Sequence, residues 1–201
     1  MASRAHRVVL LLAVAAAVAV TATTAPRYGF VGVGVMSSAI IRGTCTLPDV
    51  PASSIVLSPR GAARSAELAS EFPDLVTVAT SNQDVVDSCD IVFIGVLPKQ
   101  AEEVLRGLRF DARHTVVSLV STCAMPLLQE ACAPATQIVR AIPLPSVAGH
   151  NGVCIMTPPH PDVTALFDRL GTCVAVEVSR APQTRDRTAE RSAWIRHAGV
   201  Q

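Results

Sequence analysis

The sequence predicts an α/β fold: a doubly wound, mostly parallel sheet with helices on both faces. Three observations carry this. Short β-branched runs alternate with helix-like patterns from Arg27 to about Val178, the earlier runs are apolar throughout, and a glycine-rich turn follows the first of them. Unbroken apolar runs mark strands covered on both faces of a parallel sheet. Strand, helix, strand in regular succession then builds the doubly wound arrangement. The chain has 201 residues, 50% hydrophobic, 16% charged and 3% aromatic, which excludes a disordered or fibrous protein and suits one domain with short extensions.

Along the chain, residues 1–26 open with Arg4 and Arg7 and continue as an apolar run from Val8 to Val20. That run is shorter than the roughly 20 residues a membrane span needs, so no stable span is expected. The small residues after it favour a secretory-type signal, with an organelle transit peptide, a signal anchor or a misassigned start as alternatives. Strands are expected at Tyr28–Val33, Ile55–Leu57, Leu75–Val78, Ile91–Val96, Thr115–Val120, Gln137–Ile142, Val153–Met156 and Cys173–Val176. Between them, Ala101, Val104, Leu105 and Leu108 recur at helical spacing after Pro98, and Val163, Leu166, Phe167 and Leu170 repeat that pattern after Pro161. The domain is drawn at residues 27–178. Residues 179–201 are Arg-rich, without sustained apolar periodicity, and are expected to be a poorly ordered tail.

Charge divides the same way. Residues 1–26 carry +2, residues 27–179 carry −4 and residues 180–201 carry +3, within a formal net charge of +1. Nothing in that balance calls for nucleic acid as a partner, because five arginines with Trp194 as the one aromatic among them are thin support for a binding arm.

The functional signal is the turn Gly29-Phe30-Val31-Gly32-Val33-Gly34-Val35-Met36-Ser37, running into a helical stretch from Ser38. In this context Gly32 allows a tight turn, and Gly34 leaves room for a pyrophosphate to reach the backbone N–H groups of the helix N-terminus. Ser37 takes the third fingerprint position, small but not glycine. This is a Rossmann-type dinucleotide site, the alternative being an ordinary tight turn. At the end of the second strand, where a carboxylate would receive the ribose of NAD, stands Leu57-Ser58-Pro59-Arg60, with Arg64 one turn on. A hydroxyl and a guanidinium suit a 2′-phosphate, so NADP is favoured over NAD. The alternative puts Arg60 and Arg64 on a solvated helix face, pairing with Glu67 and Glu71.

Several separate motifs carry a family resemblance: Gly29-Phe30-Val31-Gly32-x-Gly34-x-Met36-Ser37-x-Ala39-Ile40, then Ser58-Pro59, Asn82, Asp90-Ile91-Val92-Phe93-x-x-Val96-x-Pro98, Val116-Val117-Ser118 and Val139-Arg140-x-x-Pro143. In order and spacing they resemble the N-terminal NAD(P)-binding domain of pyrroline-5-carboxylate reductases, over about Arg27 to Glu177. The resemblance implies reduction of a cyclic imine, 1-pyrroline-5-carboxylate, to L-proline with hydride from a nicotinamide cofactor. By the same likeness Val31, Gly32, Val33, Gly34, Val35 and Met36 would hold the pyrophosphate, Ser58 would lie at the 2′-phosphate, and Asn82 near the adenosine. Val96, Leu97 and Pro98 would line the cleft, and Ser118, Leu119 and Val120 would lie nearer the nicotinamide.

This chain departs from the family at Val35, Leu97, Val120-Ser121-Thr122 and Leu144-Pro145-Ser146, where the family has a polar residue, a Lys, an Ala-Ala-Gly-like run and Asn-Thr-Pro. Backbone cofactor contacts survive such changes better than substrate-reading side chains do. The family likeness also implies a helical second domain that supplies the dimer interface and most of the substrate pocket, and the 24 residues after Glu177 are too few for one. Dimerisation is therefore expected only with such a domain supplied.

No catalytic residue stands out. His114 and His150 read as surface or structural, Glu102 and Glu103 point to different parts of a helix surface, and Lys99 is either a solvated first-turn residue or a neighbour of the cofactor phosphates. Cys45, Cys89, Cys123, Cys132, Cys154 and Cys173 lack metal-ligand spacing and read as small buried thiols. Such a core suits a reducing compartment, such as the cytoplasm, a plastid or a mitochondrion, although the leader reads secretory. Three functions are carried forward: an NADP-dependent imine reductase acting on a small imine or imino acid, a non-catalytic NADP-binding fragment, and a deazaflavin-dependent oxidoreductase.

Overall fold

The structure, a computed structural model, describes residues 25–177. The expected leader lies almost wholly, and the expected tail from residue 179 wholly, outside the described residues. The element order is β1 (Arg27–Val31), α1 (Val35–Cys45), β2 (Ser54–Leu57), α2 (Ala62–Glu71), β3 (Val76–Val78), α3 (Asn82–Ser88), β4 (Ile91–Ile94), α4 (Pro98–Arg106), β5 (Thr115–Ser118), α5 (Met125–Ala131), β6 (Gln137–Pro143), β7 (Gly152–Thr157), α6 (Pro161–Arg169) and β8 (Gly171–Ala175). One sheet holds all eight strands in the order β3-β2-β1-β4-β5-β6-β7-β8. Pairing is parallel everywhere except between β6 and β7. The expected Rossmann-type sheet is therefore present.

The central strands are buried along almost their whole length because each face meets its own core. On one side Phe30 stacks on Phe93, ring centroids 4.6 Å apart and 8° from parallel, and Tyr28 meets Phe93 edge-on at 5.7 Å. Ile40 and Ile41 of α1, Leu68 of α2, and Leu166 and Phe167 of α6 close that core. On the other side Val31, Val92, Ile94 and Val116 pack against Val85 and Val86 of α3, Ala101 and Leu105 of α4, and Leu128 of α5. Offset aromatic pairs of this kind add about 0.5–1.5 kcal/mol beyond their buried area, so the Phe30–Phe93 contact fixes β1 beside β4, the two strands whose ends carry the turn of interest.

The structure corrects several strand ends. β1 stops at Val31, β4 at Ile94 and β5 at Ser118, each two residues before the apolar run ends. Gly32, with φ +88°, turns the chain out of the ladder, and the remaining apolar residues form the ligand-side loops. β8 starts at Gly171 rather than Cys173.

His114 and His150 are structural. His114 is fully buried, its Nδ1 accepts the Asp111 backbone N–H at 2.8 Å, and burial lowers its pKa. His150, at φ 58°, bonds the Gly43 carbonyl at 2.8 Å and ties its turn to α1. All six cysteines are free. Burial pushes Cys45, Cys132 and Cys154 up to about 12, so these thiols stay protonated and unreactive. Among the described residues no group of His, Cys, Asp and Glu is placed to hold a metal, and no helix is long and apolar enough to cross a membrane.

Candidate dinucleotide site

At the carboxyl ends of β1, β2 and β4 the structure opens a cleft of about 580 Å³. Its floor is the β1–α1 turn. Gly32 needs its glycine twice over, since φ is +88° and a Cβ there would lie 2.8 Å from the Gly95 carbonyl oxygen. Gly95 is equally constrained, because a Cβ on it would collide with the Ser37 hydroxyl. That hydroxyl donates to the Gly32 carbonyl at 2.8 Å, so the small third fingerprint residue ties helix to turn.

Gly34 differs from both. Its φ of −90° and ψ of −170° suit any residue, and a Cβ would meet only the Gly95 oxygen, at 3.8 Å. The fold leaves this side-chain space empty, on the cleft side of the helix start. Gly34 caps α1 without a side-chain acceptor, and no acid lies in the first turn. The first bond of the helix is Ser38 N–H to Gly34 O at 3.0 Å, so the N–H groups of Val35, Met36 and Ser37 have no earlier carbonyl within the helix. Free donors at the positive end of a helix, beside a position without a side chain, form an anion cradle.

The second wall follows β2. Ser58 is fully buried, and its hydroxyl donates to Asn82 Oδ1 at 2.6 Å while accepting the Arg60 backbone N–H at 3.2 Å. It thus positions its neighbours with a hydroxyl already engaged on both sides. Arg60 and Arg64 both border the cleft and are exposed. The alternative pairing with Glu67 and Glu71 is corrected: those carboxylates pair with Arg42, at 2.6 and 2.9 Å. Among the described residues, neither Arg60 nor Arg64 makes an ion pair within 4.0 Å.

The third wall comes from β4 and α4. Val96 and Leu97 line it, and so do Gln100 and Val104, which sequence reasoning missed. The signal was available: Gln100 and Val104 stand four residues apart in α4, on the flank beside the buried Ala101 and Leu105. Val35 and Leu97, 62% and 67% exposed, stand at the mouth. Leu119 lines the cleft, whereas Val31, Ser118 and Val120 are buried beneath its loops and Pro98 starts α4 outside the lining. Lys99 is an exposed residue of the α4 first turn, also outside the lining.

Residues 27–122 match a family model described as NADP oxidoreductase, coenzyme F420-dependent. Pyrroline-5-carboxylate reductase 3 of Danio rerio is 27% identical over 158 residues, 75% of this chain and 54% of that protein. Its namesake in Macaca fascicularis is 32% identical over 133 residues, 63% of this chain and 46% of that protein.

The sequence is thus similar to those of pyrroline-5-carboxylate reductases.

It spans about half the length of the curated reductases it matches. Among solved structures, a 1-pyrroline-5-carboxylate reductase from Streptococcus pyogenes superposes with a TM-score of 0.63 at 24% identity, over 75% of this chain and 58% of that one. A Plasmodium falciparum pyrroline carboxylate reductase with NADP bound gives 0.62 at 18% identity, over 88% and 71%. These likenesses are of fold. Relative to the reductase pattern, the departures at Val35 and Leu97 fall at the cleft mouth, whereas the glycine turn and its helix start are kept.

Proposed function

We propose that this domain binds a nicotinamide dinucleotide across the cleft, NADP in preference to NAD, as the cofactor-binding half of a reductase acting on the C=N bond of a small imine or imino acid. The carrying observation is Gly34, a glycine that the fold does not require, at the mouth of a helix start whose donors are free. The residues fit the group: the N–H groups of Val35 and Met36 would hold the diphosphate, and Arg60 and Arg64 a 2′-phosphate. Ser58, already bonded to Asn82 and to the Arg60 backbone, holds both in place. When bound, the dinucleotide supplies the hydride that an imine needs. Val96 and Leu119, on the loops after β4 and β5, give the cleft apolar surface that excludes water around it.

The polar side chains that line the cleft are Ser58, Arg60, Arg64, Asn82 and Gln100, with no His, Cys, Tyr, Asp, Glu or Lys among them. A proton for the reduced nitrogen must therefore come from water or from a part of the enzyme outside this lining. That observation also favours a second reading, a domain that binds NADP without turning it over. NADPH oxidation with 1-pyrroline-5-carboxylate separates the two: binding with turnover supports the reductase, and binding without it supports the second reading. A deazaflavin titrated in parallel checks the third electron carrier.

The 2′-phosphate assignment has its own test. Arg60→Ala is expected to weaken NADPH by roughly 10- to 100-fold, as for loss of a charge-assisted hydrogen bond of about 1.5–3 kcal/mol, and to change NADH little. Calorimetric titration with both nucleotides measures it. Equal loss for both would contradict the assignment.

A further inference from the structure

On one face of the last three strands the structure leaves an apolar strip that no helix of the described residues covers. Strand register assembles it in rows. Ile142 of β6 pairs with Ile155 of β7, and Ile155 pairs with Val174 of β8. Leu144 donates its N–H to the Val153 carbonyl at 2.9 Å, beginning a second row, and Val176 extends the strip beyond β8 by donating to the Met156 carbonyl at 2.8 Å. Intervening residues point the other way: Cys154 and Met156 are buried under α6, with Val163, Leu166 and Phe167. The six outward side chains are 40–53% exposed, and none is charged. Thr157 and Thr172 border them, and so does the half-buried Arg140, which pairs with Thr157 at one corner and donates to the Cys123 carbonyl. Together they present roughly 500 Å² of apolar surface, within the size of the largest patch on a typical monomer, the kind that marks an interaction site.

We propose that this strip is a self-association surface, on which a second copy of this chain packs sheet against sheet about a two-fold axis. In an isologous contact the same patch meets itself, which penalises charge at its centre and suits this strip, whose one cation, Arg140, lies at a corner. The net charge of +1 adds little long-range repulsion between copies. Two apolar sheet faces pack about 10 Å apart with interleaved side chains. Two strips contribute roughly 1,000 Å², and with a threonine rim the total reaches the low end of specific interfaces, about 1,200–2,000 Å², the range of a reversible dimer. The surface needs no nucleotide, so its test stands apart from that of the cleft.

Sedimentation velocity on the full chain over about 1–100 µM, the range for an interface of that size, measures the association. The expected result is a monomer–dimer equilibrium. Ile155, on the middle strand of the central row, lies nearest the axis, so Ile155→Asp is expected to weaken association at least about 100-fold. Because such a variant could instead perturb the fold, circular dichroism and a mixing arm accompany it: an equimolar mixture of Ile155→Asp and Ile155→Lys chains is expected to restore the dimer. A wild-type chain that stays monomeric throughout overturns the proposal. So does a dimer that Ile155→Asp leaves unchanged, or a mixture that fails to associate while both variants are folded.

Discussion

Gly34→Asp is expected to raise the melting temperature of the ligand-free chain while removing nucleotide binding. The two effects have opposite signs because the position serves two masters. For the fold, Gly34 is the N-cap of α1 in an extended conformation, with free space where a Cβ would go. An aspartate there can accept N–H groups of Met36 or Ser37 and complement the helix dipole, worth about 0.5–1 kcal/mol. That corresponds to roughly 1–4 °C for a domain of this size. For a ligand, the same carboxylate fills the anion cradle and repels a diphosphate, so affinity for NADPH should fall at least about 100-fold. Differential scanning fluorimetry with and without NADPH reads both. A variant that binds as the wild type does, or one that melts lower and still binds, would contradict the reading of Gly34 as a ligand-driven glycine.

Gly32→Ala is expected to do the reverse, damaging the fold first. An alanine held at φ +88° is strained, and its Cβ would press on the Gly95 oxygen from 2.8 Å. Relief requires the β1–α1 and β4–α4 loops to separate, which also loosens the Ser37 hydroxyl from the Gly32 carbonyl. The expected cost is about 2–4 kcal/mol, or roughly 5–15 °C in melting temperature, with nucleotide affinity lost alongside. Urea denaturation of the variant measures it; a change below about 0.5 kcal/mol would show that the turn relaxes at no cost.

The contrast between these two glycines shows what the sequence could and could not say. The G-x-G spacing located the turn, because tight turning and bare backbone are chemistry that residue types reveal. It could not rank the two positions, since the space beside Gly34 is set by Gly95, more than sixty residues away in sequence and adjacent only through the pairing of β1 with β4. The central strands β1, β2, β4 and β5 were legible because strands covered on both faces write nearly unbroken apolar runs. The ends of β1, β4 and β5 were not, since the loops beyond them use Val33, Val96 and Val120 and continue the run past the last ladder bond. The antiparallel turn of β7 was hidden similarly: Val153 and Ile155 face outward but are as apolar as the inward Cys154 and Met156, which erases the alternation that normally marks such a strand. Helices α3 and α5, seven residues each, bury too few apolar side chains to show a period, although Ser81 caps α3 by accepting the Asp84 N–H. At the site, Ser58 was found by its place after β2, but its burial and its two hydrogen bonds follow from Asn82 and the Arg60 backbone folding onto it.

The most direct measurement is backbone-amide NMR of the ¹⁵N-labelled full chain during titration with NADPH. The account predicts the largest shifts at Gly34, Val35 and Met36, with a second group at Arg60 and Gly61, and little change along β7 and β8. Saturable binding that left those amides unmoved, or no shift at any residue with NADPH in millimolar excess, would contradict it.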